Sequence, residues 1–392
     1  MLVALLAAGL ALRLWFAFRY YGVEFDIDSY VAVDGALGDD PLELYTSVND
    51  EGQNRWPYPS GFLPFVVGAR QADDLFGGFD GWVQVPQILA DLAIAWLVQS
   101  YLGRRGASER VRLSAAGLVA LGPSFIAISG YHGQLDAAAI LPAVLAVWLW
   151  DLLPDGPRRG LICGALVGCG IALKTAPGLV LLALLPLGRS QRERGALVAA
   201  AAAVPLVLLA PWLGADPDGT FEALRSHRAV PGVGGLSLLV QPSLSQVWLG
   251  TGFTLVSDTT QWLVDRQTAI VAICLLPFAL LLWRRPRTPA EGTTILWLAF
   301  YVFASAFAFQ YAVWGLPFAL MAGYVRGVAV VQAALLIPTL LVYWQPLDDG
   351  AEWIYVPLMI GVWVGLIVVL ARLTLRPPRP APLRSPGYTP AP

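Results

Sequence analysis

Only 13% of the 392 residues are charged, 57% are hydrophobic, and mean hydropathy is +0.63; soluble domains carry about 25% charged residues, so a soluble globular domain is excluded. The apolar residues come in long uncharged runs rather than short alternating ones, which argues for transmembrane helices and against a β-barrel. A net charge of −2 gives no general attraction to nucleic acid, and three cysteines inside apolar runs (Cys163, Cys169, Cys274) argue against a disulfide framework or a zinc site.

The first apolar segment, Met1 to about Tyr20, reads as a transmembrane helix. A signal peptide is disfavoured because no small-residue cleavage site follows and Arg13 interrupts the run. About twelve spans are expected in all, at roughly 1–21, 82–103, 111–128, 136–153, 161–173, 176–187, 195–213, 267–283, 293–309, 311–324, 327–343 and 353–371. Several are shorter than the ~17 residues that a crossing helix needs. The pair 161–173 and 176–187 reads as a broken or re-entrant hairpin around Lys174-Thr175-Ala176-Pro177-Gly178, since Pro177 and Gly178 end a helix.

Arginines fix an orientation. They cluster in alternate loops: Arg104, Arg105, Arg110 and Arg112; Arg158 and Arg159; Arg189, Arg192 and Arg194; Arg284, Arg285 and Arg287; Arg326; then Arg372, Arg376, Arg379 and Arg384. The positive-inside rule makes these loops cytoplasmic, together with both termini, in a multi-pass plasma-membrane protein. The intervening loops, 22–81, 129–135, 214–266 and 345–352, are then external. Segments 29–47 and 61–76 of the first external loop suit amphipathic helices in the interface. One transmembrane domain (1–375) would end in a Pro-rich, disordered cytoplasmic tail (376–392). No internal repeat is visible, which opposes a secondary transporter.

Five external stretches carry polar groups. Glu24-Phe25-Asp26-Ile27-Asp28-Ser29-Tyr30 puts two carboxylates where membrane meets water; they are either solvated loop acids or a base for a hydroxyl, with a divalent cation as another use of the pair. Ser129-Gly130-Tyr131-His132-Gly133-Gln134-Leu135-Asp136 packs four polar side chains between spans, which is costly unless they are paired or wet. Lys174, the sole lysine of the chain, is either a snorkelling side chain or a cation facing a lipid phosphate. Arg225-Ser226-His227-Arg228 clusters cations suited to phosphate, beside a flexible glycine-rich stretch. Gln310, Tyr311 and Trp314 form an aromatic belt or a sugar platform.

Taken together these stretches resemble the GT-C superfamily of polytopic glycosyltransferases. Asp26-Ile27-Asp28-Ser29-Tyr30 is similar to its acidic motif after the first helix, close to the Asp-x-Asp-Tyr form of the GPI mannosyltransferase I family but with Ser29 inserted. Trp56-Pro57-Tyr58-Pro59-Ser60-Gly61 resembles the Tyr-Pro-Pro element, and His132-Gly133-Gln134-Leu135-Asp136 a His-Gly-Gln-Phe-Asp-type turn. Lys174-Thr175-Ala176-Pro177 is similar to a Lys-x-x-Pro element, and Gln310-Tyr311 with Trp314 and Pro317 to a Gln-Tyr-x-x-Trp-x-x-Pro pattern. The resemblance covers about residues 1–325.

It implies an all-α, GT-C-like bundle of about twelve transmembrane or re-entrant helices, with interfacial helices in the external loops. It also implies a polyprenyl-phosphate sugar donor, a lipid or glycan acceptor, and inverting transfer at the external face by a mannosyltransferase or close relative. The family role of the acidic motif falls on Asp28 or Asp26 as base. Lys174, His132, Arg228, His227 and Arg225 are expected toward the phosphate. Tyr131, Gln134, Asp136, Tyr58, Gln310, Tyr311 and Trp314 are expected toward sugar or acceptor. No metal ligand set and no obligatory cofactor are expected, because a monophosphate leaving group is met by Lys and Arg; the Asp-x-Asp spacing leaves room for a divalent cation. The competing reading is a transporter or flippase of lipid-linked sugars, which predicts charges near the midplane of several helices; here midspan charges are few (Arg13, Asp91). A non-catalytic scaffold leaves the polar clusters unexplained.

Overall fold

A computed structural model describes residues 1–49, 55–226, 231, 233–240, 257–306, 309–344 and 349–377. All regular structure among them is helical. In chain order the helices are α1 (Leu2–Arg19), α2 (Glu24–Asp39), α3 (Leu44–Asn49), α4 (Leu63–Phe76), α5 (Phe79–Trp82), α6 (Val85–Arg104), α7 (Glu109–Ala120) and α8 (Pro123–Ile126). After a π-helical turn at Ala127–His132 come α9 (Asp136–Trp150), α10 (Pro157–Leu173), α11 (Leu179–Leu184), α12 (Gln191–Ala215) and α13 (Pro217–Arg225). The last are α14 (Asp258–Asp265), α15 (Gln267–Arg284), α16 (Pro289–Phe303), α17 (Ala312–Met321), α18 (Val325–Trp344) and α19 (Asp349–Leu375).

Seven helical stretches among the described residues are long and apolar enough to cross a membrane: 2–19, 79–104, 109–132, 191–215, 267–284, 325–343 and 353–375. Each falls on an expected span. The remaining five expected spans also fall on helices, but shorter ones: α9 and α16 have 15 residues, α10 has 17, α17 has 10, and 176–187 is broken. The chain is thus a multi-pass membrane protein. The expected break after α10 is present: Lys174 turns extended (φ −158°, ψ 138°), and a 3-10 turn at Ala176–Gly178 precedes α11.

Local chemistry explains the element ends. Ser190 accepts a hydrogen bond from the Glu193 N–H, and Thr288 one from the Glu291 N–H, so both helices open on a Ser/Thr-x-x-Glu cap. Glycines decide the tightest packing. A Cβ on Gly160 or Gly164 would stand 2.2 Å from the carbonyl oxygen of Glu193 or Leu197, and one on Gly168 would be 2.9 Å from Val204. The contacts advance together along both helices, so α10 and α12 run parallel on a four-residue glycine stripe, the small-residue packing that membrane helices use.

The arginine-rich loops meet at one end of the bundle. Arg105 pairs with Asp151 (2.5 Å), Arg159 with Glu193 (2.7 Å), and Arg189 with Asp155 (3.6 Å). Arg194 lies over the Trp283 ring, and Arg287 donates to the carbonyl oxygens of Arg376 and Pro377. At mid-chain depth, fully buried Arg13 joins α1 to α6 and α7. Its Nη2 pairs with Asp91 Oδ2 (3.3 Å) and donates to the Val119 carbonyl (2.9 Å), while Nε donates to Ser129 Oγ (2.9 Å). The two midspan charges noted in the sequence therefore satisfy one another, as buried ions in membranes do.

At the other end, α2–α4 form a layer over the bundle. Thr46 Oγ1 donates to Asp216 Oδ2 (2.5 Å), Trp212 Nε1 donates to the Pro41 carbonyl (2.6 Å), and Ser60 Oγ donates to the Leu208 carbonyl (2.9 Å), so three bonds fasten the layer to α12 and its end. The expected amphipathic helix at 61–76 matches α4. The expectation at 29–47 needs correction: the helix begins at Glu24 and ends at Asp39, with α3 separate, so the acidic motif is helical.

Candidate active site

The helical setting of the acidic motif separates its two carboxylates. At 3.6 residues per turn, side chains two apart point about 200° from one another. Asp26 turns inward. Its Oδ2 lies 2.5 Å from His132 Nε2, and its Oδ1 accepts a hydrogen bond from Gln134 Nε2. Asp28 turns outward to Tyr21, whose hydroxyl donates to it at 2.7 Å in an exposed position. The geometry thus gathers Asp26, and not Asp28, with the other polar residues. The two carboxylates do not converge on one ion.

The turn after the π-helix delivers His132, Gln134 and Asp136 inward. Gly133 makes this turn at φ +85°, and a Cβ there would lie 2.8 Å from Ile27 Cδ1. Its carbonyl accepts from the Tyr30 hydroxyl (3.0 Å) and from Gln87 Nε2 (3.0 Å), while the Val23 N–H donates to the His132 carbonyl (3.3 Å). α2 and the turn are therefore locked together by backbone as well as side chains. π-turns within helices recur at functional sites.

Asp136 is fully buried and takes two donors on Oδ1: Lys174 Nζ at 2.7 Å and Trp314 Nε1 at 2.6 Å. Its Oδ2 is buried, with no hydrogen-bond partner among the described residues. Lys174 is 5% exposed, and its ammonium lies 5.1–5.2 Å from the ring centroids of Tyr58, Tyr311 and Trp314. Tyr311 and Trp314 stack at 4.0 Å. Burial opposes the lysine's charge, but Asp136 foremost, then Tyr311, overrides it and holds the ammonium above its ordinary range. Lys174 is therefore an already balanced cation in an aromatic cage, buried rather than snorkelling to the interface.

Tyr58 bridges the two groups. It hydrogen-bonds Gln134 and feels both Asp26 and Asp136, and burial keeps its phenol well above the usual range. Its carbonyl accepts from the Tyr45 hydroxyl (2.9 Å), and the Asn49 side chain fixes the neighbouring Trp56 N–H (2.8 Å). The cluster thus draws on α2, the 55–62 stretch, the 132–136 turn, the break after α10 and the start of α17.

Other expectations fare differently. Tyr131 is half-buried and donates to the Tyr343 carbonyl (3.2 Å). Gln310 is half-buried in the 3-10 turn that precedes α17. Arg225 is exposed at the end of α13, its guanidinium 5.7 Å from the Phe221 ring. His227 and Arg228 lie outside the described residues. Two contributors escaped the sequence reading. Gln87 and Tyr343 lie in no motif of the sequence; only the three-dimensional packing brings them to Gly133 and His132.

Comparison with known proteins agrees with this architecture. The fold is similar to that of ArnT from Cupriavidus metallidurans, both bound to undecaprenyl phosphate (TM-score 0.51, 18% identity, covering 95% of this chain and 73% of that one) and in the apo state (TM-score 0.51, 17% identity, the same coverage). This is a GT-C fold. No curated protein matches by sequence. A family model for glycosyltransferase family 87 matches residues 80–309, more than half of the chain. By that match the protein is a glycosyltransferase, a member of glycosyltransferase family 87.

Proposed function

We propose that the protein moves a sugar, mannose in the first instance, from a polyprenyl-phosphate donor to a hydroxyl of a lipid or glycan acceptor at the external membrane face. The observation that carries this reading is Asp26, held by His132 and Gln134 beside the Asp136–Lys174 pair at the bundle end opposite the arginine-rich loops. The positive-inside rule makes the arginine end cytoplasmic and the Asp26 end external. The ArnT fold, one instance of which carries undecaprenyl phosphate, supports a polyprenyl-phosphate donor.

In this mechanism Asp26 takes the proton of the acceptor hydroxyl. The freed oxygen attacks the anomeric carbon, the bond from that carbon to the phosphate oxygen breaks, and the electron pair leaves with the polyprenyl phosphate, inverting the configuration. Asp28 is assigned no proton transfer, since it faces Tyr21. Asp136 Oδ2, buried and without a donor among the described residues, is suited to accept a sugar hydroxyl, and the Tyr311–Trp314 stack to face a sugar ring. Lys174 holds Asp136 in place and lends positive potential to the departing phosphate; Arg225, His227 and Arg228 are its further proposed contacts. Because Asp26 and Asp28 diverge, transfer is proposed to need no divalent cation, which activity retained in chelator would support.

The test is the purified protein in lipid bilayers with a panel of polyprenyl-phosphate sugars, reading product and linkage. Transfer from one donor with inverted anomeric configuration is expected. Transport of the lipid-linked sugar across the bilayer without any new glycosidic bond would replace this reading with the flippase one.

A further inference from the structure

Tyr343 closes the membrane-spanning part of α18, beyond the family match and outside every motif described above. Its hydroxyl meets Nδ1 of His132, whose other nitrogen faces Asp26 Oδ2. Its ring packs edge-on against the imidazole (centroids 5.3 Å, 76°), and its carbonyl is held by Tyr131. Asp26, His132 and Tyr343 thus form one chain across three elements.

A neutral imidazole has one N–H and one lone pair. A carboxylate accepts only, so it takes the N–H at Nε2 and leaves the lone pair on Nδ1. A hydroxyl pointing at that lone pair donates to it, and a hydrogen bond made to the neutral form disfavours the charged one. A neutral His132 donates to Asp26 while adding no full positive charge; an imidazolium would bind the carboxylate as an ion pair and weaken it as a base. We propose that Tyr343 is a positioning residue for the base: it holds His132 neutral, with Nε2–H toward Asp26. The proposal rests on Asp26 as the base. Asp136, Tyr131 and Tyr355 act on Tyr343, and Tyr30, Tyr58 and Lys174 lie within the field of Asp26; all are the same in the variant tested, so their fields cancel from the comparison.

The chain has two histidines, so 15N-histidine labelling of the full-length protein in lipid nanodiscs, with His227→Gln, reports His132 alone. Tyr343→Phe removes a single oxygen. The parent ring is expected neutral and protonated at Nε2. In Tyr343→Phe the ratio of charged to neutral ring at fixed pH should rise about tenfold. With undecaprenyl-phosphate mannose as the donor probe, in the protein retaining His227, the acid limb of kcat should move up by about one pH unit while the high-pH plateau stays within about twofold. A ratio that is unchanged or falls, or an activity loss equal at every pH, overturns the proposal. The nitrogen signals need no turnover: a parent protein that transfers no sugar counts against the transferase reading, while the ring's response to Tyr343→Phe still upholds or overturns the hydrogen bond.

Discussion

Breaking the Lys174–Asp136 pair from one side should destabilise the protein far more than removing the pair whole. Lys174→Met leaves a fully buried carboxylate with Trp314 Nε1 as its remaining donor among the contacts described. Removing one partner of a buried ion pair costs about 3–5 kcal/mol. The three rings at 5.1–5.2 Å add a desolvated cation–π contribution of up to about 2 kcal/mol. At roughly 2 °C per kcal/mol for a large chain, the single variant should unfold about 6–14 °C lower in a thermal scan of the solubilised protein. The double variant Lys174→Met with Asp136→Asn removes both charges yet keeps an acceptor for Trp314 Nε1. It should regain more than half of the loss in stability while remaining inactive, because Oδ2 is gone as an anion. The reasoning is refuted if Lys174→Met unfolds within 2 °C of the parent, or if the double variant is no more stable than the single one.

Three further outcomes follow from contacts elsewhere. Arg13→Leu should sharply lower the yield of folded protein by leaving Asp91 uncompensated, and adding Asp91→Leu should recover yield; equal yields for the single and double variants would contradict the buried pair. Gly133→Ala meets both a positive φ and a 2.8 Å approach to Ile27 Cδ1, so about 1–3 kcal/mol of stability and most transfer activity should be lost; parent-like turnover would show the turn to be adjustable. The Asp216 carboxylate, which accepts from Thr46 and the Gly219 N–H, is held below its ordinary range by those two bonds. A depressed carboxylate contributes stability above its unfolded value and loses it as pH falls through the folded one. The protection of the Gly219 amide against hydrogen exchange, taken relative to its intrinsic rate at each pH, should therefore fall only below about pH 4; an onset near neutrality would contradict the assignment.

The apolar runs made the helical class, the membrane setting and the break at Lys174 legible in the sequence. Pro177 and Gly178 allow few other outcomes. The polar motifs were legible as groups because buried polar residues between spans demand partners. What the sequence could not convey was who pairs with whom. Asp26 and Asp28 looked equivalent while the motif was read as a loop; once it is helical, α2 sends them to opposite sides. The pairing of Lys174 with Asp136 was hidden because the two lie 38 positions apart. Arg13 and Asp91 looked like isolated midspan charges because their encounter depends on how α1 packs against α6. Tyr343 carried no signal at all, since tyrosines at span ends are common for interfacial reasons.

The central claim is that Asp26 is the base and Asp28 is not. Its most direct measurement compares the kcat of Asp26→Asn and Asp28→Asn in purified protein, under saturating polyprenyl-phosphate sugar, with donor binding measured alongside. Loss of a general base typically costs about 10²–10⁴-fold, so Asp26→Asn should fall by that much with donor affinity preserved, while Asp28→Asn stays within about tenfold of the parent. Parent-like turnover by Asp26→Asn, or the larger loss in Asp28→Asn, would contradict the account.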